Sequence, residues 1–94
     1  MNKKQRSYIE KELSKIIGGM EKVEDWLDKA EESGDTSKVT RYRLRLDKDC
    51  EKLKGIDMVL DALGFIRDYV STVENDKYHP TIKLYTVKEW CERY

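Results

Sequence analysis

Two heptad seams that oppose each other in register constrain this chain more than any other feature. Ile9, Leu13, Ile16, Met20, Val23, Leu27 and Ala30 are spaced 4-3-4-3-4-3, which sets them on one stripe of a helix. A second run, Val39, Tyr42, Leu46, Asp49, Leu53, Ile56, Leu60 and Leu63, is spaced 3-4-3-4-3-4-3 with Asp49 its single polar member. Between them Ser33–Thr36 reads SGDT. Gly34 suits the left-handed residue that ends a helix, and Asp35, Thr36 or Ser37 can cap the next one. A link this short makes the two helices antiparallel neighbours.

Folding the chain about Gly34–Asp35 tests that reading, because opposed positions then have numbers summing to a constant near 69. Ala30 meets Val39, Leu27 meets Tyr42, Val23 meets Leu46, Ile16 meets Leu53, Leu13 meets Ile56 and Ile9 meets Leu60. Met20 against Asp49 is the one mismatch, and Cys50 next door is read as the small apolar filler. A strand over Val39–Leu46, where VTRYRLRL alternates with period two, competes but explains only eight residues. The heptad explains the flanks as well.

The predicted fold is all-α, a single domain built as a long, coiled-coil-like antiparallel hairpin. Its helices run over 5–32 and 37–74 with a turn at 33–36, and a tail follows over 75–94. The second helix, about 57 Å long at 1.5 Å per residue, outruns the first. KYHP at Lys77–Pro80 breaks it, since a residue before proline is pushed toward extended backbone. In the tail, Ile82–Tyr85 is open to an extended conformation. Thr86-Val87-Lys88-Glu89 fits a capping box, and Tyr85 can staple to Trp90, which predicts a short terminal helix. Gly18-Gly19 has no preceding strand and no following GK[ST], so it is read as a close helix crossing or a kink and not as a phosphate loop.

Charged residues are 40% of the chain, against about 25% in an average domain, yet 19 basic and 19 acidic side chains cancel. The charge is partitioned: residues 37–54 carry +4 and residues 20–32 carry −4. Lys38, Arg41, Arg45, Lys48 and Lys52 form a basic stripe on the second helix, whose g members Lys38, Arg45 and Lys52 face the side of the first helix that carries Gly19 and Trp26. One reading solvates these cations, with i,i+4 help from Arg43–Asp47 and Arg45–Asp49. The other makes them, beside Trp26, a docking face for an anionic partner.

Farther along, the same stripe turns apolar at Gly55, Val59, Ala62, Ile66, Tyr69 and Val73, with Met58 and Phe65 at its margin. The first helix can cover only one of two seams. A terminal helix of about 12 Å is too short for a stripe of about 27 Å, so burial by a second copy or by a partner is expected, completing a helical bundle. The rival is a monomer closed by the tail through Trp90 and Tyr94.

Catalytic chemistry is thinly represented. His79 is the only histidine and sits in a turn, which supports no nucleophile–base pair. Asp57, Asp61 and Asp68 share a helical face that reads as soluble surface, not a metal site. No cofactor is expected. Two distant cysteines imply reduced thiols, and no apolar run reaches the ~20 residues that span a bilayer, so a cytoplasmic protein without membrane contact is expected.

The segment YTVKEWCERY at Tyr85–Tyr94 resembles the opening helix of excisionase- or MerR-type winged-helix DNA-binding domains. The likeness implies a role in DNA recognition; it covers these ten residues and stops before the recognition helix those domains carry next. In style, small Lys/Glu/Asp-rich helical chains of this kind also resemble accessory and inhibitory proteins of phages and mobile elements. The expected function is thus non-enzymatic: a protein-binding inhibitor, adaptor or accessory subunit, homodimeric. Val59, Ile66, Tyr69, Val73 and Phe65 are its predicted apolar contacts, with Arg41, Arg45, Lys48 and Trp26 beside them. The alternative is a nucleic-acid binder using residues 38–52, against which the neutral net charge counts.

Overall fold

The computed structural model describes residues 1–70 and 78–93. Helix α1 spans Lys3–Ser33 and α2 spans Thr36–Ala62. Asn2 and Gln5 form a reciprocal capping box at the start of α1. Gly34, at φ 73°, ends that helix in the left-handed conformation, and the Asp35 carboxylate accepts from the Lys38 N–H at 3.1 Å to start α2. The hairpin, its hinge and its cap are therefore as the heptads predict. Val39–Leu46 is helical throughout. Leu13 and Val23 are fully buried, and Trp26 meets Tyr42 with ring centroids 5.9 Å apart.

The second helix, however, stops twelve residues short of its predicted end at 74, with Ala62 its last residue. Leu63 N–H donates to the Val59 carbonyl at 3.0 Å, Gly64 N–H to that of Asp61 at 3.0 Å, and Gly64 takes φ 79°. Only glycine adopts that angle freely, so the chain turns out of the helix there. Phe65–Val70 then forms strand β1, antiparallel to β2 at Thr81–Thr86, with Phe65 opposite Thr86 and Tyr69 opposite Ile82. Aromatic and β-branched residues dominate both segments, which favours pleated backbone. The expected all-α class is thus corrected to a mostly helical fold with one two-stranded sheet. The extended reading of Ile82–Tyr85 holds.

The β-hairpin lies along one flank of the helical hairpin, β1 against α2 and β2 against α1. Ile82 and Leu84, two apart and hence on one sheet face, join Leu13 and Leu60 in the core, and Phe65 packs at its margin. Polar anchors fix this packing. Arg67 donates twice to Asp57, at 3.0 Å each, and the Leu84 N–H donates to Glu10 at 2.9 Å. Ser14 donates to the Pro80 carbonyl and Tyr78 to Asp25.

Gly18 explains how the chain comes so close. A Cβ there would overlap the Tyr78 carbonyl oxygen, lie 2.7 Å from its carbon and 3.3 Å from Pro80 Cδ. The close crossing read into Gly18-Gly19 is real, but what crosses is the approach to β2, not another helix.

Helix α3, Val87–Arg93, begins as its capping box predicts. Glu89 N–H donates to Thr86 Oγ1 at 3.1 Å, Thr86 N–H donates back to the Glu89 carboxylate at 3.4 Å, and Tyr85 and Trp90 have centroids 5.9 Å apart. The segment similar to an excisionase- or MerR-type opening helix is thus helical from Val87. Among the described residues no helix is long and apolar enough to cross a membrane.

Candidate docking face

The helical hairpin has two flanks, and they differ. Heptad geometry puts Glu10, Ile17 and Glu31 of α1 on the same side of the seam as Arg43 and Asp57 of α2. That side carries the β-hairpin through Glu10 and Asp57, and Arg43 pairs with Glu31 at 3.0 Å. Glu12, Gly19 and Trp26 of α1 and Lys38, Arg45, Lys52 and Val59 of α2 fall on the opposite side, which no described element covers.

This open flank changes character along its length. Near the N-terminus of α1 and the C-terminus of α2 it is an apolar groove floored by Leu13, Ile56 and Leu60 and edged by Tyr8, Val59 and Leu63. Tyr8, Val59 and Leu63 are 65%, 59% and 59% exposed, so side chains that would bury in a core stand in solvent here. Glu12, Glu51 and Lys52 sit at its rim. Met1 extends the apolar surface past Tyr8.

Toward the hairpin turn the flank becomes basic and aromatic. Lys29 and Lys38 line a depression with Trp26 and Tyr42, and Arg41, Arg45 and Lys48 line the next one. The Arg45 guanidinium lies 6.0 Å from the Trp26 ring centroid, and that of Arg41 5.4 Å from the Tyr42 centroid. The expected i,i+4 partners are not made: Arg43 reaches across to Glu31, and among the described residues no salt bridge ties Arg41, Arg45, Lys48 or Lys52 to an acid. Cys50 is exposed instead of filling the seam beside Asp49.

The predicted contact residues therefore divide. Val59 lies on the open flank as expected, and so do Trp26, Arg41, Arg45 and Lys48. Phe65, Ile66 and Tyr69 do not share a helical stripe with Val59, because all three are in β1. Phe65 faces the core beneath the Arg6 guanidinium, 5.0 Å from its centroid. Ile66 sits across from Tyr85 in the sheet, and Tyr69 is 48% exposed. Val73 lies outside the described residues. The second seam thus ends near Ala62, and its missing length is supplied by Tyr8 and Leu63. Tyr8, the residue before Ile9, flanks the first seam, and Leu63, the last member of the second, is exposed.

A further charge pair lies apart from the groove. Arg6 reaches Glu89 at 3.1 Å; that hydrogen bond, then those from Thr86, hold the Glu89 carboxyl below its ordinary 4.5. The pair ties α1 to α3. Among the described residues no three His, Cys, Asp or Glu side chains are placed to hold a metal. Compared with protein-family models, with curated proteins and with solved structures, the chain matches none. Its function is read from its geometry.

Proposed function

We propose that this chain is a non-enzymatic protein-binding module, a cytoplasmic adaptor, inhibitor or accessory subunit, whose apolar groove takes the apolar face of an amphipathic partner helix. One observation carries this reading: Tyr8, Val59 and Leu63 stand exposed together at the mouth of a groove whose floor is already built from the core residues Leu13 and Leu60. A groove between two helices matches the spacing of a third, with anchors every three or four residues. Truncating such anchors accounts for most of the energy at interfaces of this type. A homodimer is the self-complementary form of the same contact, two grooves meeting about a twofold axis.

Site-specific photo-crosslinking tests it. A benzoylphenylalanine at Tyr8 or Leu63 is expected to trap one protein partner or a second copy, and Val59→Asp to abolish its binding in purified form. Equal trapping from Lys11, on the far side of α1, would refute the groove as the docking site.

A further inference from the structure

The basic half of the open flank has a different chemistry from the groove, and its reading does not rest on that of the groove. We infer that Arg41, Arg45, Lys48 and Lys52, with Trp26 beside them, bind single-stranded nucleic acid. Along α2 the four cations cover about 17 Å in one row, and none of them is held in a salt bridge by a described acid. The net charge of zero does not oppose this, because a bound phosphate within a Debye length of about 8 Å feels the local row, not the chain's total. Three of the nearby acids are engaged on the other flank, Glu31 with Arg43 and Glu10 and Asp57 with the β-hairpin, while Asp47, Asp49 and Glu51 share α2 with the row but form no salt bridge to it.

Charge alone would suit an acidic peptide equally well. What separates the two is Trp26, a large indole left 42% exposed amid cations, with the Arg45 guanidinium at its face. A solvent-facing ring beside phosphate-binding side chains is a platform for an unstacked base, worth about 1–3 kcal/mol per base. Two of the row are arginines, whose planar fork matches phosphate oxygens better than an ammonium does. A duplex keeps its bases stacked on one another and gains nothing from such a platform.

The test is fluorescence anisotropy of the full chain with a labelled oligothymidylate of about 16 nucleotides, the upper end of the site a small module covers. With four phosphates neutralised, log Kd against log salt should have a slope magnitude of about 2.8, a roughly fifty-fold loss between 50 and 200 mM salt. Arg41→Glu with Arg45→Glu should lower that slope to about 1.4, whereas Lys11→Glu with Lys88→Glu, an equal charge change elsewhere, should leave it in place. Trp26→Ala should weaken binding about tenfold and Trp26→Phe restore most of it. Circular dichroism confirms that each variant is folded. Three results would overturn the inference: no binding at low salt, duplex of the same length binding as tightly with no effect of Trp26→Ala, or polyglutamate competing as well as the oligonucleotide.

Discussion

Replacing Gly18 by alanine and, separately, its neighbour Gly19 sets two opposite effects side by side. Both glycines lie inside α1, where alanine is favoured over glycine by about 0.5–1 kcal/mol. At Gly19 nothing lies within 4 Å of the new Cβ, so the full propensity gain should appear as added stability. At Gly18 the Cβ would overlap the Tyr78 carbonyl and stand 2.7 Å from its carbon, and a backbone carbonyl cannot swing aside as a side-chain end can. The Tyr78–Pro80 segment must lift. Overpacking of this kind costs about 1–3 kcal/mol, and lifting strains the Ser14–Pro80 and Tyr78–Asp25 hydrogen bonds, each worth about 0.5–1.5 kcal/mol. After the propensity gain is subtracted, Gly18→Ala should destabilise by about 1–5 kcal/mol. Urea denaturation followed by helix ellipticity reads both variants against the parent. A Gly18→Ala chain as stable as Gly19→Ala would refute the close approach and the packing of β2 on α1.

Other consequences follow from individual contacts. Because Arg6 and Thr86 hold the folded Glu89 carboxyl below its ordinary value, the stability it contributes is complete above the ordinary carboxylate range and lost as pH falls through the folded value. The near-ultraviolet signal of Trp90, measured in a Trp26→Phe background, should therefore fade only in acid, and at higher pH once Arg6→Met removes the partner; an unchanged profile in that variant would contradict the link. Arg67→Met should cost no more than about 1 kcal/mol, since the bidentate pair with Asp57 is partly exposed, and a loss of several kcal/mol in thermal melts would show the pair to be more than an anchor. Leu63→Asp should change stability by less than about 0.5 kcal/mol, as expected for a surface substitution. In sedimentation equilibrium it should abolish any concentration-dependent growth in mass beyond 11.2 kDa. Growth unaffected by it would place self-association elsewhere.

The helical hairpin was legible because two local periodicities, each strong, agree through a turn whose Gly34 and Asp35 act at once as stop and start. The end of α2 was not. Val59, Ala62, Ile66, Tyr69 and Val73 continue a 3–4 spacing, whereas FIRDYV at Phe65–Val70 has no strict apolar–polar alternation to announce a strand. The signals that decide were Gly64, the sharpest helix stop in the segment, and the aromatic and β-branched enrichment after it. Ile82–Tyr85 was readable as open to an extended conformation, but not as part of a partner for Phe65–Val70, since pairing is a property of two segments and no periodicity reports it. Of the docking face, the basic stripe and Val59 were visible, whereas the exposure of Tyr8 and Leu63 depends on which flank the β-hairpin occupies.

Everything assigned to the two flanks depends on the chain leaving the helix at Gly64. Backbone resonance assignment measures that directly. Helical carbon shifts should end at Ala62, residues 65–69 should show strand shifts, and the antiparallel register should give short-range cross-strand contacts between Arg67 and Leu84 and between Tyr69 and Ile82. Helical shifts running unbroken from Thr36 through Tyr69, with no contact to Ile82 or Leu84, would contradict the fold and both of the surfaces read from it.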